Sequence, residues 1–239
     1  MQGRVWQALI ADLKASRKIP ARERAAADRA VQRAMTRTLR GYGGHFRLAP
    51  QRLRGDELQA VLRPGAPVLS ILTYLRAQLA AGGAPSLALR AGIGSGALQR
   101  ISSKGPFASD GEAFHRARAA LEAADRGGGA RLTAWRTGDA FFDRVSDSML
   151  ALIDAFAVRW TAPQWEAIAG RLESKALQTI AREKGVGFQS VSKRLRAASW
   201  SEVHQAIALL EELAAVAGDG SGAAGVAAER RRAPSPSKG

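Results

Sequence analysis

Residues 177–195, LQTIAREKGVGFQSVSKRL, constrain the fold more than any other stretch. Ile180 and Ala181 recur at helical spacing, and Ala181 is small enough for a second helix to cross it closely. Gly185 breaks the helix after Lys184, where a positive φ is most easily adopted. Val186 then fills the turn, and Val191 and Leu195 anchor the next helix, over residues 188–197. A preceding helix over 162–172 starts after Thr161, a suitable N-cap, and Ser174 is placed to cap the middle helix. This spacing predicts three short helices packed across tight turns.

The charge agrees with a polyanionic partner. Lys and Arg number 36 against 21 Asp and Glu, a net charge of +15, and an excess of that size favours nucleic acid, nucleotides or an anionic surface. With 239 residues, 46% of them hydrophobic, the chain can form one large domain or two small ones. Cysteine is absent, which excludes disulfides, thiolate metal sites and cysteine nucleophiles. Only three His are present, too few for a His-rich metal site. No apolar run approaches the roughly 18 residues of a membrane span, and the first residues do not read as a signal peptide. A cytoplasmic protein without a membrane partner is expected.

Upstream, residues 5–12 form an apolar run without helical period, a buried strand ending at Asp12. Pro20 suits the first turn of a basic amphipathic helix over 25–39, closed by Gly41, Gly43 and Gly44. Alternating apolar residues over 45–53 and 58–62 flank Arg54-Gly55-Asp56-Glu57 and predict a hairpin, with Pro50 confining its first strand to an edge. A helix over 67–79 follows, then a strand over 86–93 with Gly92, Gly94 and Gly96 as a flexible exit. After a loop come a helix over 110–124, a strand over 130–136 and a helix over 141–158, whose inner face is expected to carry Val145, Met149, Leu152, Ile153 and Phe156. The order predicts an α+β domain over 1–158, with helices on one side of a mostly antiparallel sheet. An all-helical domain over 159–216 and a disordered basic tail over 217–239 complete it.

Two acids stand out. Asp12 at a strand end and Asp56 in the hairpin turn would face one edge of the sheet, and two carboxylates are the minimum that can hold Mg²⁺ against a triphosphate. Each taken alone is an ordinary turn acid.

The segment TAPQWEAIAGRL followed by LQTIAREKGVGFQSVSKRL resembles the helix-turn-helix of sigma-factor region four and related response regulators. Lys184 departs from that pattern, standing where the family usually has an apolar residue, which either loosens the packing between the helices or lets the lysine stem snorkel. The resemblance implies DNA as partner, with Gln189, Ser190, Lys193 and Arg194 facing the major groove, and Ser192, Lys175 and Arg196 available to phosphates. The stretches ALIADLKAS, RGDELQAVL, LRAGIGSG and SDGEAFHRARAALEA resemble the palm domain of class III nucleotide cyclases and diguanylate cyclases, a ferredoxin-like fold. Their order, with the helices that follow, is similar to the SatD family, which joins such a palm to a C-terminal helix-turn-helix. The cyclase resemblance implies Mg²⁺ at Asp12 and Asp56 and nucleotide phosphates near Lys14, Ser16 and Arg17. Where cyclases place the Asn and Arg that stabilise the transition state, however, this chain has His115 and Ala119, and Glu112 replaces their Asp. Loss of that cation removes a stabiliser of developing phosphoryl charge.

The sequence therefore predicts a homodimeric DNA-binding regulator whose palm senses a nucleotide or dimerises. A metal-dependent cyclase or nucleotidyl transferase and a protein-binding adaptor are the alternatives.

Overall fold

The structure is a computed structural model that describes residues 5–14, 19–52, 56–82, 88–128 and 130–218. The elements run β1 (Trp6–Lys14), α1 (Ala21–Tyr42), β2 (Phe46–Arg52), β3 (Glu57–Leu62), α2 (Val68–Ala81), β4 (Ala88–Gly96), α3 (Glu112–Arg126), β5 (Thr133–Arg136) and α4 (Ala140–Ala157). Four helices follow: α5 (Ala162–Leu172), α6 (Leu177–Lys184), α7 (Phe188–Ala197) and α8 (Trp200–Gly218). The strands form one sheet in the order β2-β3-β1-β4-β5. All pairings are antiparallel except β4 with β5, so the fold is α+β with a mixed sheet. β2, which contains Pro50, lies at the sheet edge as expected, with register shifts against β3.

Helices cover both faces of this sheet, not one. β1 is apolar at both parities, so neither face can be left to water. Leu9, Ala11 and Leu13 enter the main core with residues of α1, α2 and α4. Ala8 and Ile10 lie under α3 with Val61, Ala113, Phe114, Ala117 and Leu121. The three glycines read as a flexible exit are also different in kind. Gly92, Gly94 and Gly96 are buried within β4, and α3 rests on them backbone to backbone. A Cβ on Gly94 would lie 2.1 Å from the Ala113 carbonyl oxygen and 2.2 Å from the Ala117 nitrogen.

α4 is rotated from its expected setting. Its buried residues are Phe142, Ser146, Leu150, Ile153, Asp154 and Ala157, while Phe141, Leu152 and Phe156 face outward. The cause is Asp154, fully buried at 0% exposure. Its carboxylate accepts the Leu132 and Thr133 N–H groups at 2.8 and 2.7 Å, the Thr133 hydroxyl at 2.9 Å and Arg76 at 3.4 Å. Arg76, also buried, donates to the Leu89 carbonyl at 3.0 and 2.8 Å and to the Leu132 carbonyl at 3.1 Å. Burial pushes the Asp154 carboxyl up against the pull of Arg76 and of these N–H donors. It pushes Arg76 down, against Asp154. The pair pins the start of β5 to β4, α2 and α4.

The C-terminal helices join the same core. Trp165 and Ile168 of α5, and Trp200, Val203, Ile207 and Leu210 of α8, pack in one cluster with α2 and α4. Trp160 stands edge-on to Trp165 and Trp200 and donates to the Ala198 carbonyl at 2.9 Å. Glu211 of α8 accepts the Leu69 and Ser70 N–H groups at 2.8 and 2.9 Å, closing the α2 N-terminus from outside. No helix of the described residues is long and apolar enough to cross a membrane. The expected basic tail lies, from residue 219, outside the described residues.

Candidate functional site

α6 and α7 are set as their spacing predicts. Gly185 ends α6 at φ 63°, and the Val186 N–H returns to the Ala181 carbonyl at 3.0 Å. Ala167, Ile180, Ala181 and Val191 form a separate buried cluster, against which Leu177, Val186 and Leu195 pack. Gln164 accepts the Thr161 N–H at 2.7 Å, fixing the start of α5. Ser174 does not cap α6. It sits in the turn at φ 58°, and the N-cap is Ala176. The turn closes instead on α5, where the Lys175 N–H reaches the Gly170 carbonyl at 3.0 Å. Lys184, out of pattern, sends its ammonium to Glu166 of α5 at 3.0 Å, so it snorkels across the seam.

Of the residues expected to meet DNA, Gln189, Ser190, Lys193 and Arg196 are exposed, and Ser192 and Arg194 are half-buried. At 100° per residue, Gln189, Lys193 and Arg196 fall on one stripe of α7. Residues 184–201 contain Lys184, Lys193, Arg194 and Arg196 and no acid. α7 thus presents uncompensated positive charge, which is what attraction to phosphate requires. Lys175 is different. Its ammonium is held by Glu173 and Glu183, each at 2.7 Å, and these two hydrogen bonds raise its pKa.

In the sheet, Asp12 and Asp56 do come to one end. Leu13 donates its N–H to the Asp56 carbonyl at 3.2 Å. The carboxylates, however, are engaged by arginines. Both oxygens of Asp12 accept from Arg90, at 3.0 and 2.9 Å, and Arg90 also contacts Asp125 of α3. Asp56 lies 3.7 Å from Arg52. Sequence reasoning missed a third acid, Glu57, which faces Asp12 across the β1–β3 ladder. Arg118 of α3 grips it with two bonds of 2.7 and 2.9 Å. That contact holds the Glu57 carboxyl below its usual range, against the opposing effect of burial. Its position directly after Asp56 was the available signal.

The result is an alternating lattice of Asp12, Glu57 and Asp125 with Arg90 and Arg118. Among the described residues no group of three or more His, Asp or Glu is placed to hold a metal. With both Asp12 oxygens taken by Arg90, these side chains as placed do not fit a Mg²⁺ ion. Lys14 ends β1 exposed, while Ser16 and Arg17 lie outside the described residues. On α3, exposed His115 faces Asp110 at 3.5 Å. The neighbouring Arg116 is committed to Glu112 at 2.7 Å and to the Ser95 carbonyl at 2.7 Å.

Among solved structures, the chain is similar to a bacterial light-regulated adenylyl cyclase, at 18% identity and a TM-score of 0.35 over 52% of this chain and 71% of that one. It is similar to the guanylyl cyclase Cya2, at 12% identity and a TM-score of 0.37 over 52% and 73%. A class III adenylyl cyclase-like ATP-binding protein from Pseudomonas aeruginosa matches at 16% identity and a TM-score of 0.37 over 59% and 34%. No curated protein matches. Among family models, that of the SatD family matches residues 6–204.

Proposed function

The chain belongs to the SatD family, and on that premise we propose that it is a DNA-binding regulator. In this reading α5, α6 and α7 form a helix-turn-helix within residues 159–216, and residues 1–158, a cyclase-like palm, serve ligand response and self-association. The observation that carries it is the acid-free stretch 184–201, presented on a short helix that packs across the Gly185 turn. Gln189, Ser190, Lys193 and Arg194 would face the major groove, and Ser192 and Arg196 would meet phosphates. Lys175, already neutralised by two glutamates, contributes less.

One such module covers a half-site, so dimers are expected. The outward stripe of α4 with Phe141, Leu152 and Phe156 suits an isologous contact with a second copy. Within residues 148–158 the only charged residue is the buried Asp154, so the Leu152 and Phe156 part of the stripe meets its own copy without stranding a charge, while exposed Arg144 stands one turn from Phe141 at its start. Nucleotide cyclisation is not favoured, because the acids that would hold the metal are paired with arginines.

The test is fluorescence anisotropy of the full chain with mixed-sequence duplexes over a salt series, followed by selection from random duplexes. Binding that weakens with salt, and that Lys193→Ala with Arg196→Ala reduces at least tenfold, is expected. Salt-independent binding, or no effect of the double substitution, refutes the reading.

A further inference from the structure

α1, α2, α5 and α6 meet around a cavity of about 490 Å³, a volume within the roughly 300–1,000 Å³ of small-molecule sites. It lies away from Asp12 and Asp56, and its wall is built from both parts of the chain: Arg37 and Arg40 from α1, Tyr74 and Gln78 from α2, Gly170 from α5 and Ile180 from α6.

The charges around it do not cancel. Glu166 is paired with Lys184 at 3.0 Å. Glu173 and Glu183 share Lys175, and Glu173 also accepts the Tyr74 hydroxyl. Every glutamate of the wall therefore touches a lysine of the α5–α6 segment, although Glu173 and Glu183 share one between them. Among the described residues the two arginines have no ion-pair partner: Arg37 feels Glu173 only at a distance. Arg37 donates to the neutral side chain of Gln78 at 2.9 Å, and among the described residues no carboxylate forms a salt bridge with Arg37 or Arg40. They stand one helical turn apart and line the same space. Two guanidinium forks so placed match the oxygens of a phosphate. The remaining wall is uncharged: Ala81, Ala169 and Ile180, with the Tyr74 ring, which is tilted against Tyr42 at 5.4 Å between centroids.

We infer that this cavity binds a phosphorylated small molecule of the nucleoside phosphate class, with its phosphate on Arg37 and Arg40. Because Ile180, Glu183 and Lys184 belong to α6, occupancy shifts the setting of α6 relative to α1 and, with it, of α7. This second step rests on the DNA-binding reading; the first does not.

Isothermal titration calorimetry of the full chain with AMP, GMP and inorganic phosphate tests the site. At least one nucleotide is expected to bind, more tightly than inorganic phosphate. Arg37→Ala with Arg40→Ala should weaken it tenfold or more, while Asp12→Ala leaves it unchanged. Both arginines are exposed, so their loss leaves the fold intact, which circular dichroism verifies. The site is overturned if no nucleotide binds, if the arginine variant binds as well as the parent, or if Asp12→Ala abolishes binding. Anisotropy with and without the bound nucleotide then tests the coupling. A change in DNA affinity supports it; DNA binding indifferent to the nucleotide overturns it. If nucleotide binds but DNA does not, the DNA reading fails and the site stands.

Discussion

Replacing Gly94 by alanine tests the close approach of α3 to β4. The added Cβ would lie 2.1 Å from the Ala113 carbonyl oxygen and 2.2 Å from the Ala117 nitrogen, where non-bonded heavy atoms sit at about 3.5 Å. The gap must therefore open by about 1.4 Å. The obstacle is helix backbone, which no rotamer change removes, so α3 must withdraw as a body. Withdrawal loosens the packing of Ala113, Ala117 and Ala120, each 0% exposed. Overpacking of this kind costs roughly 1–3 kcal/mol or more, and a rigid obstacle places Gly94 at the upper end. The alanine also restricts the unfolded chain, a gain of about 0.4–1 kcal/mol. A net loss of about 2 kcal/mol remains, which lowers the melting temperature of a chain this size by roughly 4–8 °C. Gly44 is the control: it is exposed, and a Cβ added there would have nothing within 4 Å. Differential scanning fluorimetry compares the two. If Gly94→Ala and Gly44→Ala melt within about one degree of each other, the backbone approach is not what closes this face.

Asp154→Ala leaves Arg76 buried without its anion and strips partners from the Leu132 and Thr133 donors. Urea unfolding should show a loss of about 3–5 kcal/mol, and a loss under one would refute the pinning role. Glu57, whose folded pKa is lowered by Arg118, gives stability that is present above the unfolded value of about 4.3 and is lost as pH falls through the folded value. Glu57→Gln should thus flatten the acid limb of stability against pH, and an unchanged limb contradicts it. Arg196→Ala, by removing one cation from the phosphates, should reduce the slope of log K against log salt by about one; an unchanged slope removes Arg196 from the interface. Leu152→Glu with Phe156→Glu should convert a dimer to monomer in sedimentation velocity, and a persisting dimer places the self-association surface elsewhere.

The order of strands and helices was legible because each element carries its own period, and Gly185 was legible because only a turn needs a left-handed residue there. What escaped depends on neighbours remote in sequence. Alternate glycines in RAGIGSG look like loosened chain until Ala113 and Ala117 are known to lie over them. The α4 face was misjudged because hydrophobicity alone favours Leu152 and Phe156 inside, whereas Asp154 finds three donors at the start of β5 and turns the helix to reach them. Asp12 was legible as a strand-end acid, but Arg90 lies far along the chain, and nothing local announces that it takes both oxygens.

α5 belongs to two cores at once. Trp165, Ile168 and Ala169 lie in the main cluster with α2 and α8, whereas Ala167 lies in the small cluster with Ile180, Ala181 and Val191. In mechanical terms α5 is the rigid post and α6–α7 the compliant arm. The stiff joint holds many large side chains, including Trp160 and Trp200, and the soft one holds four buried small or medium ones with Leu177, Val186 and Leu195 half-buried around them. Thermal fluctuation concentrates at the softer joint. The α6–α7 pair can therefore tilt by small angles while the tryptophan cluster stays still, and the amides of α6 should exchange with solvent before those of α5.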